Sequence, residues 1–389
     1  MIIEGVHMDI YEIALKIKNH GGRLYLVGGS VRDEIIGKSS NDKDFCVVGL
    51  DEKEFVNLFK EAKLIGKTFP VFILYGNEFA LARTEKKISN GYKGFNTYTS
   101  KNITIYQDLK RRDITINAIA KDILTGEYID PFLGMEDIKL KRIRHISDAF
   151  LEDPLRAYRV ARFAATLLFR VDSGTINKMQ LLKKELPFLS SQRVFEELKK
   201  SLKGDNPSIF FKVLKDANLL DVHFKELNDL ENFNNVMSTL DEVSKSTNSL
   251  EVRFSSIFCN SIDNIALIDT LSKRIQIPNK WIKKAKDVYK YSSIVCNYKK
   301  LSPYKQAKLF NKINNSSVTL EELELIINSY NLIIKKEKIK FAKMLRDIFK
   351  NINGKKLISE GIIPEKVGNI NFSNILLKRQ AKALENYKL

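Results

Sequence analysis

The 389-residue sequence has only three cysteines, Cys46, Cys259 and Cys296, widely spaced and odd in number. They make neither a disulfide framework nor a CxxC metal site, and a reducing cytoplasm fits them best. The eight prolines are scattered, and there is no proline-rich tract, collagen-like period or internal repeat. No window approaches 18 uninterrupted apolar residues, and the opening MIIEGVHMDIYEIALKIKNHGG lacks the long apolar core of a secretion signal. The expectation is a chain without export signal or membrane span. Acids are outnumbered as well: 47 Asp and Glu stand against 65 Lys and Arg, a formal charge of +18. That balance argues against a protein handling only small neutral ligands and points to a polyanionic partner, nucleic acid before membrane.

An apolar content of 44% is enough for real cores, and the length allows two or three domains. The spacing of Ile10, Ile13, Ala14 and Ile17 predicts a first helix ending at Gly21-Gly22, and a strand follows at Leu24 to Val27. Further strands are expected at 44–48, 71–75, 78–83 and 103–107, with helices near 30–36, 52–63 and 113–121. From about residue 152 onward helical patterns run almost unbroken. The chain therefore reads as an α+β head followed by an all-α remainder. Its last hundred residues, rich in Lys and Asn as in NYKKLSPYKQAKLFNKINNSS, suit either a solvated surface or one that binds a polyanion.

Four segments carry chemistry. Side chains alternate along a strand, so Asp42 and Asp44, at the opening of the strand expected at 44–48, point to one face. Two carboxylates on one face suit two Mg²⁺ ions about 3.5–4 Å apart that clamp a phosphoryl displacement, although a polar loop with solvated acids fits the bare pattern too. Just before them, LVGGSVRD reads as strand, turn and helix start. Gly28 and Gly29 let a ligand approach the backbone, Ser30 can cap the helix, its free N–H groups favour phosphate, and Arg32 lies in the first turn. In KRRDITINAIA, Asp113 can cap a helix, with Arg111 and Arg112 ahead of it as bidentate donors to phosphate or ribose. In EDPLRAYRVARF, Asp153 and Arg156 are spaced as helical neighbours, and Arg159 and Arg162 continue the spacing. That is either an exposed ion pair with a basic stripe or a base reader. Cytosine and adenine both offer an amino donor beside a ring-nitrogen acceptor, which an Asp–Arg pair complements; uracil and guanine present the reverse order.

With these segments in view, the chain resembles the class II tRNA nucleotidyltransferases, the CCA-adding enzymes of the polymerase β superfamily. The resemblance spans about residues 24–225 through LVGGSVRDEIIG, NDKDFCVVG, FPVF, ALARTEKKISNGYKGF, DLKRRDITINAIA, IDPFLGMEDIKLKRIRHIS and AFLEDPLRAYRVARFAA. Their order is that of the gammaproteobacterial-like subfamily. The resemblance implies a polymerase β-like head, Mg²⁺ held by Asp42 and Asp44, and CTP and ATP as substrates. It also implies nucleotide contacts from Gly29, Arg32, Arg112, Arg156 and Arg159, with Asp153 and Arg156 serving as an amino-acid template. It implies tRNA as partner, with no membrane or DNA involved, in a monomer or weak homodimer. Its divisions map to an N-terminal helix at 1–21, a head at 22–135, a neck at 136–204, a body at 205–290 and a tRNA-binding tail at 291–389.

Two regions bear on finer questions. The charged stretch ARTEKKISNGYKGFNTYTS, with Arg83 and Glu85, corresponds to a flexible loop that looks shortened in relatives adding only CC, which favours complete CCA addition. Relatives often carry an HD-type phosphohydrolase domain, but here EVRFSSIFCNSIDN places Cys259 and Asn260 where its His and Asp would stand, and no histidine follows His223. Phosphohydrolase activity is not expected. Other possibilities are a poly(A) polymerase, an A-only or CC-only adder, and a catalytically silent RNA-binding protein. The third carboxylate of the site is either Glu78 or Asp113.

Overall fold

Asp9 opens α1 (Ile10–Asn19) with a capping box: its carboxylate accepts from the Glu12 N–H at 2.8 Å, and the Glu12 carboxylate accepts from the Asp9 N–H at 2.9 Å. Ile13, Ala14 and Ile17 are buried from this helix, as the spacing predicts. The computed structural model describes residues 8–39, 43–66, 70–87, 95–260 and 265–387. The chain divides into one unit of Met1–Val194 with Lys212–Val222 and another of Phe195–Phe211 with His223–Leu389.

The first unit is built on a seven-stranded mixed sheet. Its strands are β1 (Arg23–Val27), β2 (Asp44–Val48), β3 (Lys63–Ile65), β4 (Val71–Leu74), β5 (Asn77–Leu81), β8 (Ala120–Asp122) and β9 (Tyr128–Ile129). They lie in the order β3-β4-β5-β2-β1-β8-β9, with β2 parallel to β5 and the other neighbours antiparallel. The two faces have separate tasks because side chains alternate along each strand. On one face, the Phe45 and Phe79 rings stack at 5.1 Å under α3 (Glu52–Leu58), whose Phe55 lies 4.7 Å from Phe72. On the other, Tyr25, Val27, Cys46 and Ala120 form a second core with Leu109 and Ala118. Asp44 opens β2 on this second side, paired in register with Val27 of β1 and Glu78 of β5.

A separate hairpin, β6 (Arg83–Lys87) with β7 (Phe95–Thr99), leads into α4 (Ile105–Lys110). The strand expected at 103–107 is therefore the start of a helix. Thr104 and Gln107 form a capping box that turns this β-branched stretch helical, outweighing its strand propensity. Conversely, the helix expected at 113–121 is a single 3₁₀ turn, Thr115–Asn117, followed by β8. Its backbone is committed elsewhere: the Thr115 N–H donates to Arg144 O at 2.9 Å, and Ile119 O accepts from the Gly28 N–H at 3.2 Å. The helix expected over 52–63 stops at Leu58, and the last residue of that span, Lys63, begins β3.

Helix α5 (Gly134–Lys139) carries the fully buried Asp137, which accepts from Thr115 Oγ1 and Arg142 Nε at 2.6 Å and from Arg144 Nε at 3.0 Å. These bonds pin the 3₁₀ turn. Farther on come α6 (Leu155–Leu167), α7 (Ser173–Leu181) and α8 (Ser191–Ser201).

The described part of the second unit is helical. Tyr298, Phe310 and Phe341 centre its core, with ring centroids 5.4 Å apart for the first pair and 5.6 Å for the second. Arg253, 3% exposed, donates to the carbonyls of Leu202, Gly204, Ser244 and Thr247 at 2.6–2.8 Å. Those groups are orphan acceptors at helix C-terminal ends, so the arginine of EVRF acts here as a cap. Cys259 is buried, and Asn260 adopts a left-handed backbone at φ 53° with its carbonyl accepting from Asn232 Nδ2 at 3.2 Å. Among the described residues, no three His, Cys, Asp or Glu side chains are grouped to hold a metal ion, and no helix is long and apolar enough to cross a membrane.

Candidate active site

The turn after β1 requires glycine at Gly28, where φ is +76° and an added Cβ would lie 2.8 Å from Arg112 Nη1. Helix α2 (Gly29–Ile36) begins there without a side-chain cap. Ser30 does not supply one: it sits inside the first turn, and its hydroxyl donates back to Val27 O at 3.2 Å. The turn's backbone donors thus face a helix start to which arginines converge.

Arg32, 8% exposed, donates to Asn117 Oδ1 at 2.6 Å and to Asp33 Oδ1 through Nε and Nη2 at 2.9 and 2.8 Å. Its guanidinium carbon lies 5.3 Å from the centroid of the Phe163 ring, which also meets Arg159 at 5.5 Å and Arg162 at 3.8 Å. Arg112 donates to Asn117 O at 3.3 Å and Asp108 Oδ2 at 3.1 Å, and Arg111 pairs with Asp108 Oδ1 at 2.7 Å. Arg156, 7% exposed, donates to the carbonyls of Arg111 at 2.7 Å, Ala149 at 2.9 Å and Arg112 at 3.5 Å. The expected Gly-Gly turn, RRD segment and α6 arginines are thereby brought together in one unit.

Asp113 and Asp153 sit differently from the sequence expectation. Asp113 caps no helix; its Oδ1 accepts from the Ile114 N–H at 3.0 Å and its Oδ2 from Arg159 Nε at 2.7 Å. Asp153 lies in extended backbone before α6 because Pro154 disfavours a helical conformation at the residue preceding it. Its Oδ1 accepts from the Leu155 N–H at 3.0 Å and its Oδ2 from Arg193 Nη2 at 3.1 Å. The cation paired with Asp153 is thus Arg193 of α8, and Arg156 is buried on backbone carbonyls. An exposed Asp153–Arg156 ion pair does not form.

Asp44 and Glu78, register partners on one face, are both exposed. Asp42 and the side chain of Glu85 lie outside the described residues, while Arg83 begins β6. Reading the sequence missed Asp108, Asn117, Phe163 and Arg193. A local signal existed for Asp108, whose spacing to Arg111 and Arg112 matches helical ion pairs, and for Phe163 beside the Arg159–Arg162 stripe. Asn117 and Arg193 have none, because their partners lie 85 and 40 residues away.

Burial pushes the Asp113 carboxyl up, but Arg159 and Arg156 outweigh it and hold it at about 2. A carboxyl depressed in the folded state stabilises above its unfolded value, and that contribution is lost as pH falls through the folded one, here between about pH 4 and 2. Its size is about 2 kcal/mol. Urea unfolding should therefore find Asp113→Asn less stable than wild type at pH 7, with the gap closing towards pH 2; a gap independent of pH would contradict this assignment.

The mixed sheet with its arginine-lined turn belongs to the nucleotidyltransferase-head class: "Poly A polymerase head domain" matches residues 24–144, and "Probable RNA and SrmB- binding site of polymerase A" matches 168–230. A CCA-adding enzyme of Blochmanniella floridana is 35% identical over 94% of this chain and 98% of its own length. One from Buchnera aphidicola is 40% identical over 66% of this chain and 70% of its own. The fold is shared with the Thermotoga maritima CCA-adding enzyme complexed with tRNA (23% identity, TM-score 0.66, 99% of this chain and 94% of that one). It is also shared with a CCA-adding enzyme in complex with ATP (22%, TM-score 0.68, 96% and 91%). The chain belongs to the family of CCA-adding enzymes, the tRNA nucleotidyltransferases.

Proposed function

We propose that this chain builds and repairs the 3′-terminal CCA of tRNA, transferring nucleotides from CTP and ATP without a nucleic-acid template. The observation that carries this reading is the convergence of Arg32 and Arg112 on the uncapped Gly28–Gly29 turn, with Arg156 anchored to the carbonyls of Arg111 and Arg112, within one unit whose central strand opens with the exposed Asp44. Uncapped helix N–H groups and arginine forks suit a triphosphate. Ligands named for the relatives, ATP and tRNA, agree with it.

Mg²⁺ fits the acids: Asp44 and Glu78 offer exposed carboxylates on one sheet face, hard oxygen donors without histidine or thiolate, and Asp42 precedes them in sequence. Bound there, Mg²⁺ would offset charge on the transferring phosphate. The register supports Glu78 as the third carboxylate, since it is exposed and paired with Asp44, whereas Asp113 is buried against Arg159. Asp153 and Arg156 act as the base template in this reading. Each is held in place beforehand, Asp153 by Leu155 and Arg193 and Arg156 by backbone carbonyls, so little ordering accompanies base binding. The division into a head at 22–135, neck at 136–204, body at 205–290 and basic tRNA-binding tail at 291–389, working in the cytoplasm, is part of the proposal.

Purified protein incubated with tRNA lacking its last three nucleotides should add CC from CTP alone, CCA from CTP with ATP, and nothing from ATP alone. An A tail from ATP alone would mean a poly(A) polymerase, A addition only to tRNA ending in CC an A-only adder, CC with no A a CC-only adder, and no product a silent RNA-binding protein. The charge of +18 further predicts tRNA binding that weakens steeply with salt, with a log–log slope of about −3 or steeper. A flat plot would remove phosphate contacts as the main source of affinity.

A further inference from the structure

Asp108 of α4 is 1% exposed and gathers donors from two separate segments. Its Oδ1 accepts from the Arg83 N–H at 3.3 Å and from Arg111 Nε and Nη2 at 3.0 and 2.7 Å; its Oδ2 accepts from Arg112 Nη2 at 3.1 Å. The Arg83 carbonyl accepts in turn from Arg111 Nε at 3.1 Å. Both backbone groups of Arg83, the first residue of β6, are thus fixed by the carboxylate and guanidinium that orient the RRD arginines. From Arg112 the contacts continue to the Gly28 turn, and the carbonyls of Arg111 and Arg112 hold Arg156. Burial would push the Asp108 carboxyl up, but Arg111 and Arg112 keep it below its ordinary value, so it stays charged.

An ion pair serving only to neutralise charge at the end of α4 needs Asp108, Arg111 and Arg112. The bond from the Arg83 N–H, 25 residues away, neutralises nothing and joins the hairpin to them. We infer that Asp108 is a positioning residue that couples the placement of the β6–β7 hairpin to nucleotide binding. The inference rests on the reading of Arg111, Arg112 and Arg156 as nucleotide ligands.

Proline at position 83 removes the N–H donor, keeps the carbonyl, and stands at the first residue of a strand, where proline is tolerated. Arg83→Ala loses the same side chain and keeps both backbone groups, so the comparison reports the loss of the backbone link to Asp108 rather than of the arginine. KM for CTP and ATP, kcat and Tm are measured for Arg83→Pro, Arg83→Ala, Asp108→Asn, Arg112→Ala and the Arg83→Pro/Asp108→Asn double variant. Arg83→Pro should raise KM by about three- to thirtyfold over Arg83→Ala. Asp108→Asn should raise it at least as far, and the double variant should be no worse than Asp108→Asn alone, because both changes break the same link. The inference is overturned if Arg83→Pro matches Arg83→Ala within about twofold, or if the two effects multiply in the double variant. Arg112→Ala separates the two levels of the argument. An unchanged KM there sinks the nucleotide-ligand reading itself, whereas a raised KM with an inert Arg83→Pro sinks only the coupling. Should Asp108→Asn fail to fold, the two Arg83 variants decide the matter.

Discussion

Asp44→Ala should yield a folded protein that binds tRNA and adds neither C nor A. Asp44 is exposed at the start of β2, so its truncation opens no cavity in the core. Its proposed work is on the transferring phosphate, where metal-held charge contributes several kcal/mol to the transition state, so turnover should fall by about a thousandfold or more. Asp42→Ala should behave alike, because the proposal gives both acids one task. Glu78→Gln tests the third carboxylate: turnover should drop with Tm preserved, while Asp113→Asn loses stability. Single-turnover C and A addition, beside tRNA affinity and Tm, is the measurement. Tens of per cent of wild-type turnover in Asp44→Ala would end the two-metal reading, and normal turnover in Glu78→Gln would remove that residue.

Segments with local signals were legible in the sequence. A glycine obliged to take φ +76° at Gly28, an arginine one turn into α2 and an acid at the onset of β2 all depend on neighbours a few residues away. Errors arose where a local preference met a stronger claim on the backbone. The run around Ile103 and Ile105 has strand character, but the Thr104–Gln107 box made it helical; the apolar stretch 114–120 has helical character, but Arg144 and Gly28 took its hydrogen bonds. Ser30 and Asp113 are good capping types, yet each was drawn to another partner, Val27 O and Arg159. What no short-range pattern could reveal is the wiring between segments. Asn117 on Arg32, Arg193 on Asp153 and Asp108 on the Arg83 N–H exist only because the sheet and α6 bring distant residues together.

Asp153→Ala should lower the rate of C addition and, more tellingly, the preference for CTP over UTP. In the proposed template, Asp153 accepts from the amino group of C or A and Arg156 donates to the ring nitrogen. UTP would set its carbonyl against the Asp153 carboxylate and its N–H against the Arg156 guanidinium. Each unmatched group costs about 1–3 kcal/mol, so removing the carboxylate should cut selectivity against UTP by about one to two powers of ten. The geometry sharpens the contrast with a surface role. An exposed i,i+3 pair would cost a few tenths of a kcal/mol on disruption and leave nucleotide choice alone. Here Arg156 is 7% exposed on backbone carbonyls, and the Asp153 carboxylate is oriented by Leu155 and Arg193. Loss of the bond to the Leu155 N–H should also destabilise α6 by about 1 kcal/mol, so Tm is measured to keep the two effects apart. The deciding quantity is the ratio of kcat/KM for CTP and UTP on tRNA ending at the discriminator base. If Asp153→Ala leaves that ratio within about threefold of wild type while lowering Tm, Asp153 is a helix cap and no part of the template.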